Sequence, residues 1–222
     1  MTDGFWWLLL WGVLAGMDLV TVGQVMVGRP LVAGTVAGLL AGDAAAGAMV
    51  GMTLELFALD LLPMGGARYP DYGPAAVAGA ATAAGVPGVL GLGPAILVAL
   101  AVGYLGEHGV QVVRRANSSD VRRNRAGLDA GDSGCIRRVH LRGMLRDAGR
   151  AVVLTLLGLA LAAVVRRWLP LSLRGAVLVG TVAVGAALAV AATGALRLSG
   201  RGTARAWLAA GVLAGAVWVV TR

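Results

Sequence analysis

Residues 31–62 read LVAGTVAGLLAGDAAAGAMVGMTLELFALDLL, with Asp43, Glu55 and Asp60 as their only charges. As one continuous helix this stretch would be about 48 Å long, against a hydrocarbon core of ~30 Å. It is too long for one crossing and too short for two with a turn. A re-entrant hairpin turning near Gly42-Asp43 fits the arithmetic. Such a shape is tolerated at membrane depth only where protein or water satisfies the open backbone.

The flanks extend the same reading. Residues 5–27 form an apolar stretch interrupted by Asp18, Thr21 and Gln24, and Arg29-Pro30 ends it. Proline disfavours helical geometry in the residue before it. Residues 63–73, PMGGARYPDYG, hold two Pro and three Gly, a composition no helix survives. Residues 74–113 have room for two passes divided between Val86-Pro87-Gly88 and Gly93-Pro94. A hydrophilic segment, 114–150, follows, and three apolar runs (151–165, 175–196 and 206–220) finish the chain.

Composition agrees. Of 222 residues, 58% are hydrophobic and 14% charged, with a mean hydropathy of +0.81. Soluble domains carry roughly 25% charged residues. Fourteen of the charged residues sit in 114–150, so the remainder is more apolar than a compact soluble core could hide. At about 20 residues per helical crossing the chain has room for at most seven or eight. The hairpin-like breaks lower the expectation to about five or six full crossings plus re-entrant hairpins. The fold class expected is therefore all-α and polytopic in the membrane: a core in 1–113, an Arg-rich cytoplasmic loop in 114–150, and transmembrane helices in 151–222.

The net charge of +8 invites a nucleic-acid reading, but its placement excludes one. Ten Arg against four Asp in 114–150 read as a connector that marks the cytoplasmic side, since short cytoplasmic loops collect basic residues. Docking of an acidic partner is the other reading of this segment. The six Trp lie near run ends, where an interfacial aromatic belt would place them. All basic residues are Arg, which removes Lys nucleophile and Schiff-base chemistry. One Cys, Cys135, cannot form an internal disulfide, and His108 and His140 lack metal-ligand spacing. The first run has no basic n-region, so it reads as a retained helix rather than a cleaved signal. No cofactor or metal is expected.

Ionisable groups in membrane runs cost ~2.5–3.5 kcal/mol each on insertion scales, so each is a functional hypothesis. Here they gather early, as Asp18, Arg29, Asp43, Glu55, Asp60, Arg68 and Asp71, with Gln24 among them. Glu55 needs a donor, which could be a sugar hydroxyl, a helix N-terminus or an Arg such as Arg29 or Arg68. Equally, a buried Glu–Arg pair would hold helices in register. Asp71 lies between Tyr69 and Tyr72, an arrangement that suits sugar hydroxyls and an apolar ring face, or it caps the helix after Pro70. Gln24 offers both donor and acceptor. Asp43 reads as a turn or cap. The recurring Gly34, Gly38, Gly42, Gly47 and Gly51 read as packing surface rather than as ligand contacts.

With these residues in place, the first half resembles the membrane IIC subunit of mannose/fructose/sorbose-type phosphotransferase-system (PTS) sugar transporters. The resemblance is carried by GQVMVGRPLVAGTVAGLLAGD (23–43), GMTLELFALDLLPMGGA (51–67) and Pro70-Asp71 followed by GPAAVAGA, and covers roughly residues 12–85. The 139–165 stretch is similar to the entry to the family's later helices, more loosely. Ala67-Arg68-Tyr69 replace the small or apolar residues common before the Pro-Asp pair, and the polar segment is unusually Arg-rich.

The resemblance implies a subunit that pairs with a IID membrane subunit and translocates a hexose-like sugar. Soluble IIA and IIB subunits relay phosphoryl groups, and IIB phosphorylates the sugar. IIC itself would then carry no phosphoryl-accepting residue, and it would move by an elevator-like shift of a core bearing re-entrant hairpins. It implies substrate-binding roles for Glu55, Asp71 and Gln24, with Thr53 and Asp18 alongside, in a hetero-oligomer of the bacterial cytoplasmic membrane. Two other readings keep the fold: a non-transporting membrane subunit for assembly or sensing, and a facilitator independent of phosphorylation.

Overall fold

A computed structural model describes residues 2–21, 23–59, 61, 67–169 and 171–198. The apolar run 206–220, Asp60, Trp207 and Trp218 lie outside the described residues. Within them the chain is helical throughout: α1 (Thr2–Asp18), α2 (Pro30–Leu40), α3 (Ala44–Ala58), α4 (Tyr72–Ala83), α5 (Val89–Arg123), α6 (Arg125–Asp129), α7 (Ser133–Trp168) and α8 (Leu173–Leu198).

The stretch 31–62 folds as the hairpin its length requires. α2 has 11 residues and α3 has 15, about 17 and 22 Å, so neither reaches across a ~30 Å core. Gly42 turns the chain in the left-handed region at φ 83°, and the Asp43 amide donates back to the Gly38 carbonyl at 2.8 Å. Asp43 then caps α3, its carboxylate accepting from the Ala46 amide at 3.0 Å. Its other oxygen accepts from the Gly85 amide at 3.1 Å, so the turn before α3 is pinned to the turn after α4.

Gly34, Gly38, Gly47 and Gly51 are packing surface, as expected, whereas Gly42 meets nothing within 4 Å and serves the turn. A Cβ on Gly47 would lie 2.3 Å from the Gly34 carbonyl oxygen and 2.6 Å from the Gly38 Cα. Where lipid supplies no hydrophobic drive, such close backbone approach is how helices associate.

α4 is the axis of the fold. Of its 12 residues, all but one are buried, and α1, α2, α3, α5 and α7 pack around it. Its sequence, YGPAAVAGAATA, is small and apolar on every face, as a helix enclosed on all sides must be. Its C-terminal carbonyls are satisfied from outside: Arg166 of α7 donates to Ala81 and Ala84 at 2.9 and 2.8 Å. Arg166 therefore holds a helix end, beyond any role as a topology marker.

Three described helices are long and apolar enough to cross a membrane: α5, α7 and α8. α1 (17 residues) and the hairpin helices are shorter. Leu97, Leu157, Val182 and Leu188 lie exposed on these spans, as lipid-facing side chains do.

Three expectations change. The run 5–27 is not one helix: α1 stops at Asp18, and residues 23–29 are irregular, with Gln24 and Met26 at φ 51° and 67°. The break inside 74–113 falls at 84–88 alone, and Pro94 sits within α5, where it forfeits a single backbone hydrogen bond. The segment 114–150, expected as a loop, is helical. α5 runs on to Arg123, α6 turns the chain, and α7 begins at Ser133, so the polar residues cap and extend two long helices. Arg, a good helix former, is the commonest residue of the segment, and Gly131 (φ 70°) with the Asp132 cap makes the reversal. One tryptophan also leaves the interfacial belt, since Trp11 donates its indole N–H to the Ala33 carbonyl of α2 at 2.9 Å.

Candidate functional site

The polar residues of the first half converge where α2 and α4 begin. α2 starts at Pro30, which needs no amide partner, and its next orphan amide, Leu31 N–H, donates to Glu55 at 3.1 Å. The other Glu55 oxygen is ion-paired with Arg29, the residue that caps α2. Glu55 thus takes two of the donors foreseen for it at once: a helix N-terminus and Arg29. The favourable dipole at that helix end strengthens the arrangement.

Asp71 caps α4 by position but not by side chain. Its carboxylate is ion-paired instead with Arg150 of α7, and both side chains are 7% exposed. All three guanidinium nitrogens of Arg150 are engaged. Its Nε donates to Asp147 at 2.8 Å, its second terminal nitrogen to the Gly16 carbonyl at 2.7 Å, and Thr21 donates its hydroxyl to the other oxygen of Asp147. One guanidinium therefore binds α1, α4 and α7 at the level of the cleft and is shared by two carboxylates, each of them ion-paired, the condition for burying charge. The α5 backbone completes the junction. The Asp71 amide donates to Gly103 at 2.9 Å, and a Cβ on Gly106 would meet the Asp71 Cβ at 2.5 Å.

Asp18 closes the side facing α1. Buried at the end of that helix, it accepts from Val25 N–H at 2.9 Å and Gly28 N–H at 3.0 Å, and so ties the irregular segment 23–29 over the cleft. Gly28 is needed there because a Cβ would lie 2.6 Å from the Ala15 carbonyl oxygen.

The cleft between these elements is about 60 Å³ and is lined by Ala15, Gly28, Arg29, Tyr69, Asp71 and Gly73 among others. Ligand pockets ordinarily run to ~300–1,000 Å³. A sugar would fit only with the covering segment displaced.

Of the five site residues read from sequence, the structure gathers Glu55, Asp71 and Asp18 around this cleft, Glu55 through Arg29 and Asp18 through Gly28. Gln24 sits in the covering segment, exposed, with its amide donating to the Val20 carbonyl at 3.3 Å. Thr53 is buried and donates to the Met49 carbonyl of its own helix at 2.9 Å, so its hydroxyl is used locally. The sequence reading missed Arg150 and Asp147. Both sat at the end of a segment assigned to a polar connector, although their three-residue spacing just before an apolar run is a helical pairing signal.

A sequence model of the family described as the PTS system sorbose-specific IIC component matches residues 5–196. The chain belongs to this sorbose-type IIC family. As a family member it is 34% identical over 129 residues to the fructose permease IIC component of Bacillus subtilis (strain 168), a match that covers 58% of this chain and 47% of that protein. It is 42% identical over 64 residues to the PTS system sorbose-specific EIIC component of Klebsiella pneumoniae, covering 29% of this chain and 24% of the relative. The match thus spans about half of the first relative's length and a quarter of the second's.

Two solved structures share the fold. One, titled as the structure of a membrane protein, superposes with a TM-score of 0.72 at 20% identity, covering 99% of this chain and 95% of that one. The other, from a complex of the mannose transporter ManYZ with microcin E492, gives 0.63 at 21% identity, covering 97% of this chain and 87% of its own. The shared fold accordingly extends across the described residues.

Proposed function

We propose that this chain is the sugar-translocating IIC subunit of a phosphoenolpyruvate-dependent phosphotransferase system in the bacterial cytoplasmic membrane. It would act with a IID membrane subunit, while soluble IIA and IIB subunits relay the phosphoryl group and IIB phosphorylates the sugar. Family membership supports this reading. The observation that carries the site is the placing of two carboxylate–guanidinium pairs, Glu55–Arg29 and Asp71–Arg150, beside one cleft at the start of two half-length helices.

Such pairs suit a hexose-like sugar. A sugar hydroxyl can accept from a guanidinium and donate to a carboxylate, and hydrogen bonds to charged groups contribute ~1.5–3 kcal/mol each. Tyr69, on the same wall, offers an aromatic face. Proline, glycine and positive-φ residues in 23–30 let the cover move without unwinding a helix. The hairpins α2–α3 and α4–α5, joined at their turns by Asp43, would shift as one body in an elevator-like step.

A second reading has an observation behind it. Glu55 and Asp71 are both already ion-paired with arginine, which also suits a non-transporting subunit that keeps the fold for assembly. Sugar binding by the purified IIC–IID complex separates the two, measured for wild type, Glu55→Gln and Asp71→Asn. The transport reading expects at least tenfold weaker binding in Glu55→Gln with the complex still assembled. Wild-type binding in both variants would remove the site assignment, and no binding in the wild type would favour the assembly reading.

A further inference from the structure

α5 is 35 residues long, about 52 Å, so it outruns a ~30 Å membrane by several turns. At the point where its apolar part ends there is an open cleft of about 810 Å³ lined by Gln111, Arg114, Arg115, Asn117, Ser118 and Arg122. Three guanidiniums, a carboxamide pair and a hydroxyl face one space with no carboxylate among them. Among the described residues, none of the three arginines has an acidic partner within salt-bridge distance. The neighbouring acid, Asp120, is engaged at 2.7 Å by Arg146, which also donates to the Asn117 carbonyl oxygen at 3.1 Å. Gln111 carries a buried amide nitrogen without a hydrogen-bond partner. That nitrogen is closed off from the cleft, so the charge facing the open space comes from the arginines alone.

We propose that this cleft binds a phosphate group, held by Arg115 and Arg122. Guanidinium forks bind phosphate oxygens bidentately, and the phosphate's charge balances an otherwise uncompensated cluster. Arg114 forms the wall shared with the candidate sugar cleft: it donates to the Ala67 carbonyl at 2.6 Å and to the Tyr69 hydroxyl at 3.1 Å, with its guanidinium 5.3 Å from the Tyr69 ring centre. Arg115 is exposed and Arg122 is exposed, so both remain available to the ligand. The site stands on this chemistry alone and does not depend on the sugar reading. The phosphate has two chemical sources at this depth: the headgroup of an anionic phospholipid, for which basic residues next to a span are suited, or a soluble phosphate.

The test is the thermal unfolding midpoint of the full chain in detergent micelles, titrated with inorganic phosphate, or with phosphatidylglycerol or phosphatidylcholine doped into the micelle. Ionic strength is matched with sodium chloride throughout. A ligand of the native state raises the midpoint saturably. Stabilisation by phosphatidylglycerol alone identifies a lipid headgroup, and stabilisation by inorganic phosphate identifies a soluble source. In either case Arg115→Gln/Arg122→Gln weakens the apparent affinity at least tenfold while the ligand-free midpoint stays near wild type. Should that double variant fail to fold, Arg115→Gln alone weakens the affinity several-fold. Equal shifts with chloride and phosphatidylcholine, or an effect untouched by these variants, overturn the proposal.

Discussion

Asp71 and Arg150 stand 79 residues apart in sequence and form a buried ion pair that joins the start of α4 to the middle of α7. The pair shares its guanidinium with Asp147 and with the Gly16 carbonyl, so α1 is held at the same point. α4 is small and apolar, and at its far end Arg166 holds the carbonyls of Ala81 and Ala84. The ion pair supplies the register at its start.

Removing the cation should expose the cost of the buried acids. Arg150→Gln leaves Asp71 and Asp147 without a counter-charge, and breaking a buried pair this way costs about 3–5 kcal/mol. The expected outcome is a large fall in the unfolding midpoint in micelles. Asp71→Asn combined with Arg150→Gln should lose less than the sum of the single losses, because the two groups are coupled. Additive losses would show that they are not.

Glu55 has a different balance, with its side chain 20% exposed and Arg29 40% exposed. Glu55→Gln keeps the shape and one acceptor for the Leu31 amide, so stability should change by about 1 kcal/mol or less. Sugar affinity should fall tenfold or more, the equivalent of one charge-assisted hydrogen bond. Binding measured alongside the unfolding midpoint separates the two effects. A large loss of stability with intact binding would make Glu55 a structural residue.

The first hairpin depends on backbone contact. Gly47→Ala places a methyl group 2.3 Å from the Gly34 carbonyl oxygen, which has nowhere to go inside a helix. Overpacking of this kind costs about 1–3 kcal/mol. Gly185→Ala, on α8 with nothing within 4 Å of the added carbon, should be neutral or slightly stabilising. Comparable midpoints for the two variants would remove the close-packing account of α2 and α3.

Orientation is tested by labelling. In a Cys135→Ala background, a cysteine at Ser118, exposed on the polar part of α5, should react with a membrane-impermeant maleimide only from the cytoplasmic side. Reaction in intact cells from outside would invert the topology.

The hairpin in 31–62 was legible because length against membrane thickness leaves few solutions, and Gly42-Asp43 is the one place where that stretch can turn. Glu55 was legible as a residue that needs a partner, because a carboxylate in an apolar helix is costly whatever surrounds it. Arg150 was not. The local signal, an Asp147–Arg150 spacing just before an apolar run, announces a pairing within α7, while its partnership with Asp71 depends on α7 passing beside the start of α4. Gln24 and Thr53 are the opposite case. Their side chains have hydrogen-bonding capacity that a sequence reader offers to a ligand, while the structure shows them bonded to carbonyls four residues earlier.

By itself, then, the sequence determined that this chain is an all-helical membrane protein, where its first hairpin turns, and which few polar residues must be accounted for. Those are questions of hydrophobic length and of the desolvation cost of single groups, and both are local. Only the tertiary structure decided the pairing: Asp71 with Arg150, Glu55 with Arg29 and the α2 N-terminus, Asp43 with Gly85. The energy of a buried charge depends on what stands within a few ångströms of it, and across 79 residues that distance is set by packing.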